Sequence, residues 1–166
     1  MGYDTDFSGQ FDLDKPLTAE HKEFLTAFAQ TRRMRRDVTK LDPNANANVG
    51  LGLGDQGAYY VGGGGFMGQD VDSSVIGGNT PPDGQPGLWC QWIPDEDNDS
   101  AIVWDEGEKF YEYDRWIVYI IEHFLKPWGY TLNGEVVWHG EGPSDIGMIC
   151  VKDNEVTLRS GRVIYE

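Results

Sequence analysis

Between two stretches of readable periodicity, residues 37–85 of this 166-residue chain carry none. The segment runs through Asn44-Ala-Asn-Ala-Asn48, glycines alternating with leucines at 50–54, GAYYVGGGGFMGQD at 57–70 and NTPPDGQPG at 79–87. A structureless connection of this length is uncommon inside a compact domain, so it must either fold locally or carry function. Whatever the chain folds into has to be built around it. Its own Tyr59, Tyr60, Val61, Phe66 and Met67 predict that part of it packs back on the body.

Two stretches satisfy G-x-G-x-x-G by letter, Gly52-Gly54-Gly57 and Gly63-Gly65-Gly68. That spacing cradles a pyrophosphate only where it leaves a strand and opens a helix, whose N-terminus holds the anion. Here AYYVGGGG follows the first and QDVDSSV the second, and neither reads as an amphipathic helix. With 22 glycines in the chain, chance matches are expected, so the segment reads as a joint whose glycines let backbone pass close to aromatics.

Regular structure brackets this segment. Phe7 to Leu13 alternates as a first strand. Thr18 is placed to cap a helix with Glu20 in its first turn and Phe24, Leu25 and Phe28 as its stripe. Arg32, Arg33, Arg35 and Arg36 are expected to close that helix at its negative end. Leu88–Ile93 and Ala101–Trp104 read as a hairpin. Phe110, Tyr113, Ile117, Ile120, Ile121 and Phe124 recur at helical spacing until Pro127. Strands follow at 135–139, 146–152 and 155–158. The order predicts one domain over 1–166: a two-layer, ferredoxin-like β-α-β-β-α-β fold of the α+β class. It is extended by C-terminal antiparallel strands and interrupted by the long connection at 38–87.

The net charge of −15 argues against contact with nucleic-acid phosphates or anionic membrane, both of which need a cationic footprint. The acids crowd between Asp95 and Asp114, where Lys109 is the lone base. Asp95, Asp97, Asp99, Asp105, Glu106, Glu108 and Glu112 are the candidate surface for a basic protein partner. Asp95, Asp97, Asp99 and Glu106 also match an EF-hand's oxygen spacing. However, Ser100 replaces its obligatory glycine, and a strand ending in Pro94 replaces its entering helix. No metal is therefore expected there.

His21, His123 and His139 form no pair with metal-ligand spacing, and Cys90 and Cys150 carry no zinc signature. Both cysteines sit in apolar runs and are expected as buried free thiols in a reducing cytosol. The opening residues carry no basic, apolar leader, and no apolar run is long enough to span a bilayer, so a cytoplasmic location is expected. A second candidate site is a small-molecule pocket between the connection and the sheet, with Tyr59, Tyr60, Phe66, Trp89 and Trp92 as its aromatics.

The segments MGYDTDFSG at 1–9, TRRMRR at 31–36, GQPGLWCQW at 84–92, EKFYEY at 108–113, HFLKPWGY at 123–130, LNGEV at 132–136 and VKDN at 151–154 resemble a family of small bacterial and phage-encoded proteins. No activity is attached to that family, so the resemblance implies no catalytic residue and no cofactor. Its other members carry a shorter, less acidic loop at the position of Asp95–Asp99. The phage connection implies interference with a host process. Together these readings favour a non-enzymatic acidic protein that engages a basic partner, such as an inhibitor of a host defence or nucleic-acid-binding protein acting as an anti-CRISPR-like nucleic-acid mimic. The alternative is a protein, enzymatic or sequestering, that binds a nucleotide-like small molecule.

Overall fold

A computed structural model describes residues 2–62 and 72–166. In chain order the strands are β1 (Thr5–Leu13), β2 (Arg35–Arg36), β3 (Val75–Gly77), β4 (Trp92–Pro94), β5 (Ala101–Trp104), β6 (Leu132–Gly140), β7 (Ile146–Lys152) and β8 (Glu155–Ser160). The helices are α1 (Ala19–Gln30) and α2 (Tyr113–Ile120). The chain divides into two compact units: residues up to Leu17 with Gln91–Glu166, and Thr18–Cys90. The architecture is α+β.

The first unit is a six-stranded sheet in the order β4-β5-β1-β6-β7-β8, antiparallel at every pairing. Alternation along the strands puts Phe11, Leu132, Val136, Ile149 and Val151 on one buried face. Asp6, Gln10, Glu135, His139, Lys152 and Arg159 project from the strands as exposed residues. The long β1–β6 ladder runs from Thr5↔Gly140 to Leu13↔Leu132. Gly134 lies on it at φ +137, where an added Cβ would meet the Gln10 carbonyl at 2.7 Å. Only glycine fits that approach.

The second helix differs in form from its sequence pattern. Phe110 is buried but precedes the helix, which starts after Glu112 in a left-handed conformation (φ 56, ψ 36). Past Ile120 the winding widens to a π-helical turn over Ile121–Leu125, closed by Lys126 N–H to the Ile121 carbonyl at 2.8 Å. Trp116, Ile117, Ile120, Ile121 and Phe124 are all buried. Fully burying an aliphatic or aromatic side chain is worth about 1.5–3 kcal/mol, so this stripe is a large part of what holds the helix in place. Pro127 and Gly129 (φ +89) end the helix as the proline predicted.

In the second unit Thr18 caps α1, its hydroxyl accepting from His21 N–H at 3.1 Å, and Phe24, Leu25 and Phe28 are buried. The arginines do not close the helix, whose last turn holds no basic residue. They lie beyond it and organise the connection. Arg33 is 1 % exposed; it donates to the Tyr60 carbonyl at 2.5 Å and reaches those of Phe28 and Ala58, with its guanidinium 4.1 Å from the Phe28 ring centre. Arg36 pairs with Asp72 at 3.0 Å and covers the Tyr60 ring. Arg32 donates to the Gly78 carbonyl, and Arg35 pairs with Asp83 at 2.7 Å. A segment with no periodicity has surplus backbone carbonyls, and multidentate guanidinium donors satisfy several at once. Part of the connection does fold locally, around arginines that precede it in sequence. Three short 3₁₀ turns (Val38–Lys40, Ala47–Val49, Asp55–Gly57) and the β2–β3 pair complete it.

The first glycine motif, Gly52-Gly54-Gly57, follows a 3₁₀ turn and leads into another, with Gly54 at φ +73, where an added Cβ would come within 3.1 Å of the Tyr59 ring. That is the close aromatic passage expected of a joint. The second, with Gly63, Gly65 and Gly68, lies outside the described residues.

Candidate functional site

The predicted hairpin forms, shifted from its expected bounds. Its first strand is β4 alone; Leu88 does not enter the sheet, because its carbonyl accepts Arg33 N–H at 2.8 Å. Strands β4 and β5 pair in register Trp92↔Trp104, Ile93↔Val103 and Pro94↔Ile102. The connecting turn holds Asp95, Glu96, Asp97 and Asp99, and it is tightened by Asp97 N–H to Asp95 Oδ2 at 3.1 Å and Ser100 N–H to Asn98 Oδ1 at 2.9 Å. Short side chains that bond their own backbone suit such a turn. Asp99 also contributes its carbonyl, which accepts Leu17 N–H at 2.9 Å.

The β1–β5 ladder closes only at Phe11↔Ile102 and Asp12↔Ala101. Toward the start of β1 a cleft of about 410 Å³ is lined by Phe7, Gly9, Trp104 and the acids Asp95, Glu96, Asp105 and Glu106. Thus the structure brings together Asp95, Asp105 and Glu106 from the predicted partner surface and adds Glu96. Asp97 and Asp99 stay on the exposed turn, and Glu108 and Glu112 on the exposed segment before α2.

The cleft's aromatic wall is held from behind. Phe7 meets Trp104 edge-on at 5.3 Å and also packs on Trp92, Phe110 and Tyr113. The Trp104 indole N–H donates to Gln91 Oε1 at 3.3 Å, and the other end of the Gln91 amide donates to the Glu108 carbonyl at 2.8 Å. Gln91 is therefore a buried brace joining the tryptophan to the acidic segment. Desolvation pushes the Asp105 carboxyl up from its ordinary value, against the lowering effect of Gly107 N–H at 2.8 Å. Glu106, Lys109 and Glu112 all adopt positive φ, so this segment takes a specific and costly path rather than an open coil. Glu112 pairs with Arg115 at 3.7 Å, in reach of the exposed helix start.

Trp104, Gln91 and Glu96 were not among the predicted site residues. Trp104 reads as the end of a return strand, and its signal was its place directly before Asp105-Glu106. The predicted small-molecule aromatics divide between the units. Tyr59, Tyr60 and Trp89 belong to the second, and Trp92 belongs to the first. Trp92 is 1 % exposed and donates to the Tyr113 carbonyl at 2.9 Å; Phe66 lies outside the described residues.

Among the described residues, no group of three or more His, Cys, Asp or Glu side chains is arranged to hold a metal ion. None of the described helices is long and apolar enough to cross a membrane. Cys90 is buried, whereas Cys150 is only half-buried because its β7 position points away from the core. His123 stacks on Tyr119 at 3.9 Å, and burial lowers its pKa. Comparison of the chain with protein-family models, with curated proteins and with solved structures gives no match.

Proposed function

We propose that this is a non-enzymatic binding protein whose cleft between β1 and β5 receives an arginine or lysine side chain of a basic protein partner. The observation that carries the reading is the convergence of Asp95, Glu96, Asp105 and Glu106 around the Trp104 wall. A cation over an indole face gains about 0.5–2 kcal/mol, and charge-assisted bonds to carboxylates add to it. An incoming cation would also stabilise the charged form of Asp105, which burial disfavours. The crowded acids from Asp95 to Asp114 surround this anchor and would steer the partner in.

The resemblance to phage-encoded proteins supports a host protein as partner, one whose own basic surface serves nucleic acid, met in the cytoplasm. The protein would then act by occupying that surface. The strand order β4-β5-β1-β6, antiparallel throughout and with helices following β1 and β5, supports a ferredoxin-like, two-layer core extended by β7 and β8.

Calorimetric titration with a short arginine-containing peptide tests the anchor. Trp104→Ala should weaken binding about three- to thirtyfold, the range that the cation–aromatic term spans. Unchanged affinity in Trp104→Ala and Asp105→Asn would show that the cleft does not hold the cation.

A further inference from the structure

Among the described residues, β8 forms one edge of the six-stranded sheet with no strand beyond it. The two edges are unequal. Strand β4, at the other end, has three residues and finishes in Pro94, the usual ways of blunting an edge. Strand β8 has six residues, no proline and no glycine, and Leu158 on it is 49 % exposed. It is bound to β7 through a two-residue turn at Asp153 (φ 49) and Asn154 (φ 71), a type I′ signature. In such a hairpin Lys152 and Glu155 close the ladder. The backbone groups of Glu155, Thr157 and Arg159 then turn toward β7, and those of Val156, Leu158 and Ser160 turn outward. That outward row is available for another strand.

The side chains of the edge are self-complementary. Glu155, Thr157 and Arg159 share one face, with opposite charges two residues either side of Thr157. If a second β8 runs antiparallel with the two Thr157 residues facing across a two-fold axis, each Glu155 lies opposite the other copy's Arg159. Val156 and Leu158 then exchange the outward backbone hydrogen bonds. A closed two-fold contact of this kind uses the same strand on both sides. We propose that the protein forms a homodimer by antiparallel β8–β8 pairing in this register, joining two six-stranded sheets into one. The contact is independent of the β1–β5 cleft and leaves it open on each copy.

The test is sedimentation velocity over a range of protein concentrations, with circular dichroism confirming the fold of each variant. The wild-type chain should sediment as a concentration-dependent dimer. Glu155→Arg and Arg159→Glu each place like charges opposite one another twice, and each should raise the dimer dissociation constant at least about tenfold. The double variant Glu155→Arg/Arg159→Glu restores complementary pairs and should recover the dimer. Leu158→Pro removes an outward N–H without touching the β7 ladder and should give a folded monomer. A monomeric wild type at the highest concentration reached would overturn the proposal. So would single reversals that leave the dimer intact, or a double reversal that fails to restore it.

Discussion

The Tyr3 hydroxyl donates to one oxygen of Asp145 at 2.6 Å while the Trp138 indole donates to the other at 3.0 Å. One carboxylate thus ties the first strand's approach to the β6–β7 turn. Gly140 N–H to the Asp145 carbonyl at 2.7 Å fixes the turn itself. Tyr3→Phe removes that bond and the one its hydroxyl accepts from Gly142 N–H at 3.2 Å, and it should cost about 0.5–1.5 kcal/mol, no more than a single well-made bond because Tyr3 is 39 % exposed. Asp145→Ala should cost more, since it also strands the indole N–H of the buried Trp138. Urea denaturation of both variants checks the order.

Arg33 is the pin of the second unit, because one buried guanidinium serves carbonyls of Phe28, Ala58 and Tyr60. Arg33→Met keeps the stem and removes the donors. It should destabilise by about 2–4 kcal/mol, as several buried carbonyls lose their partner together. Hydrogen exchange should rise selectively at 53–60. Uniform protection across that segment would show that the connection holds itself.

Tyr113 titrates late. Burial is the largest cause, followed by the charges of Asp145 and Asp114 and by Tyr3, and together they push its phenol up to about 12. The folded state therefore keeps a proton that the unfolded chain gives up near 10. Its contribution to stability is complete below that value and is lost as pH rises toward 12. Ultraviolet titration should show Tyr113 ionising well after the exposed tyrosines, alongside Tyr59, whose phenol burial and Asp55 also push up, and Tyr113→Phe should remove one tyrosine from the late fraction.

His123 runs the other way. Its imidazole is held below the ordinary value, chiefly by burial, with Glu122 opposing. The neutral ring is favoured in the fold, so its contribution is present above about 6.5 and declines as pH falls below that. His123→Phe should flatten the acid side of the stability profile in this range. An unchanged slope would mean that the ring charges freely while stacked on Tyr119.

Much of this was legible in the sequence because periodicity reports burial. The α1 stripe, the α2 stripe and the β6–β7–β8 meander follow from spacing and from turn residues such as Asp153-Asn154. The connection was not, because its order comes from distant arginines rather than from its own repeat. A sequence pattern carries no trace of which carbonyl Arg33 reaches. The acidic run was visible as charge, but its division was not. Whether an acid enters the cleft or stays outside depends on where β1 and β5 part and on the positive φ of Glu106 and Glu112. Trp104 was legible only as a strand residue, since its role depends on Gln91 and Phe7 from elsewhere in the first unit.

The acidic cleft is tested most sharply by the association rate with a basic protein partner as salt is raised, compared between two charge reversals of equal size. Asp95→Lys/Glu106→Lys removes acids from the cleft; Glu20→Lys/Glu23→Lys removes exposed acids from α1. Binding by the wild type and the α1 variant should slow with salt and persist, and the cleft variant should not bind at any salt. Equal loss in both variants, or full binding by the cleft variant, would contradict this and leave the acidity as a property of the surface at large.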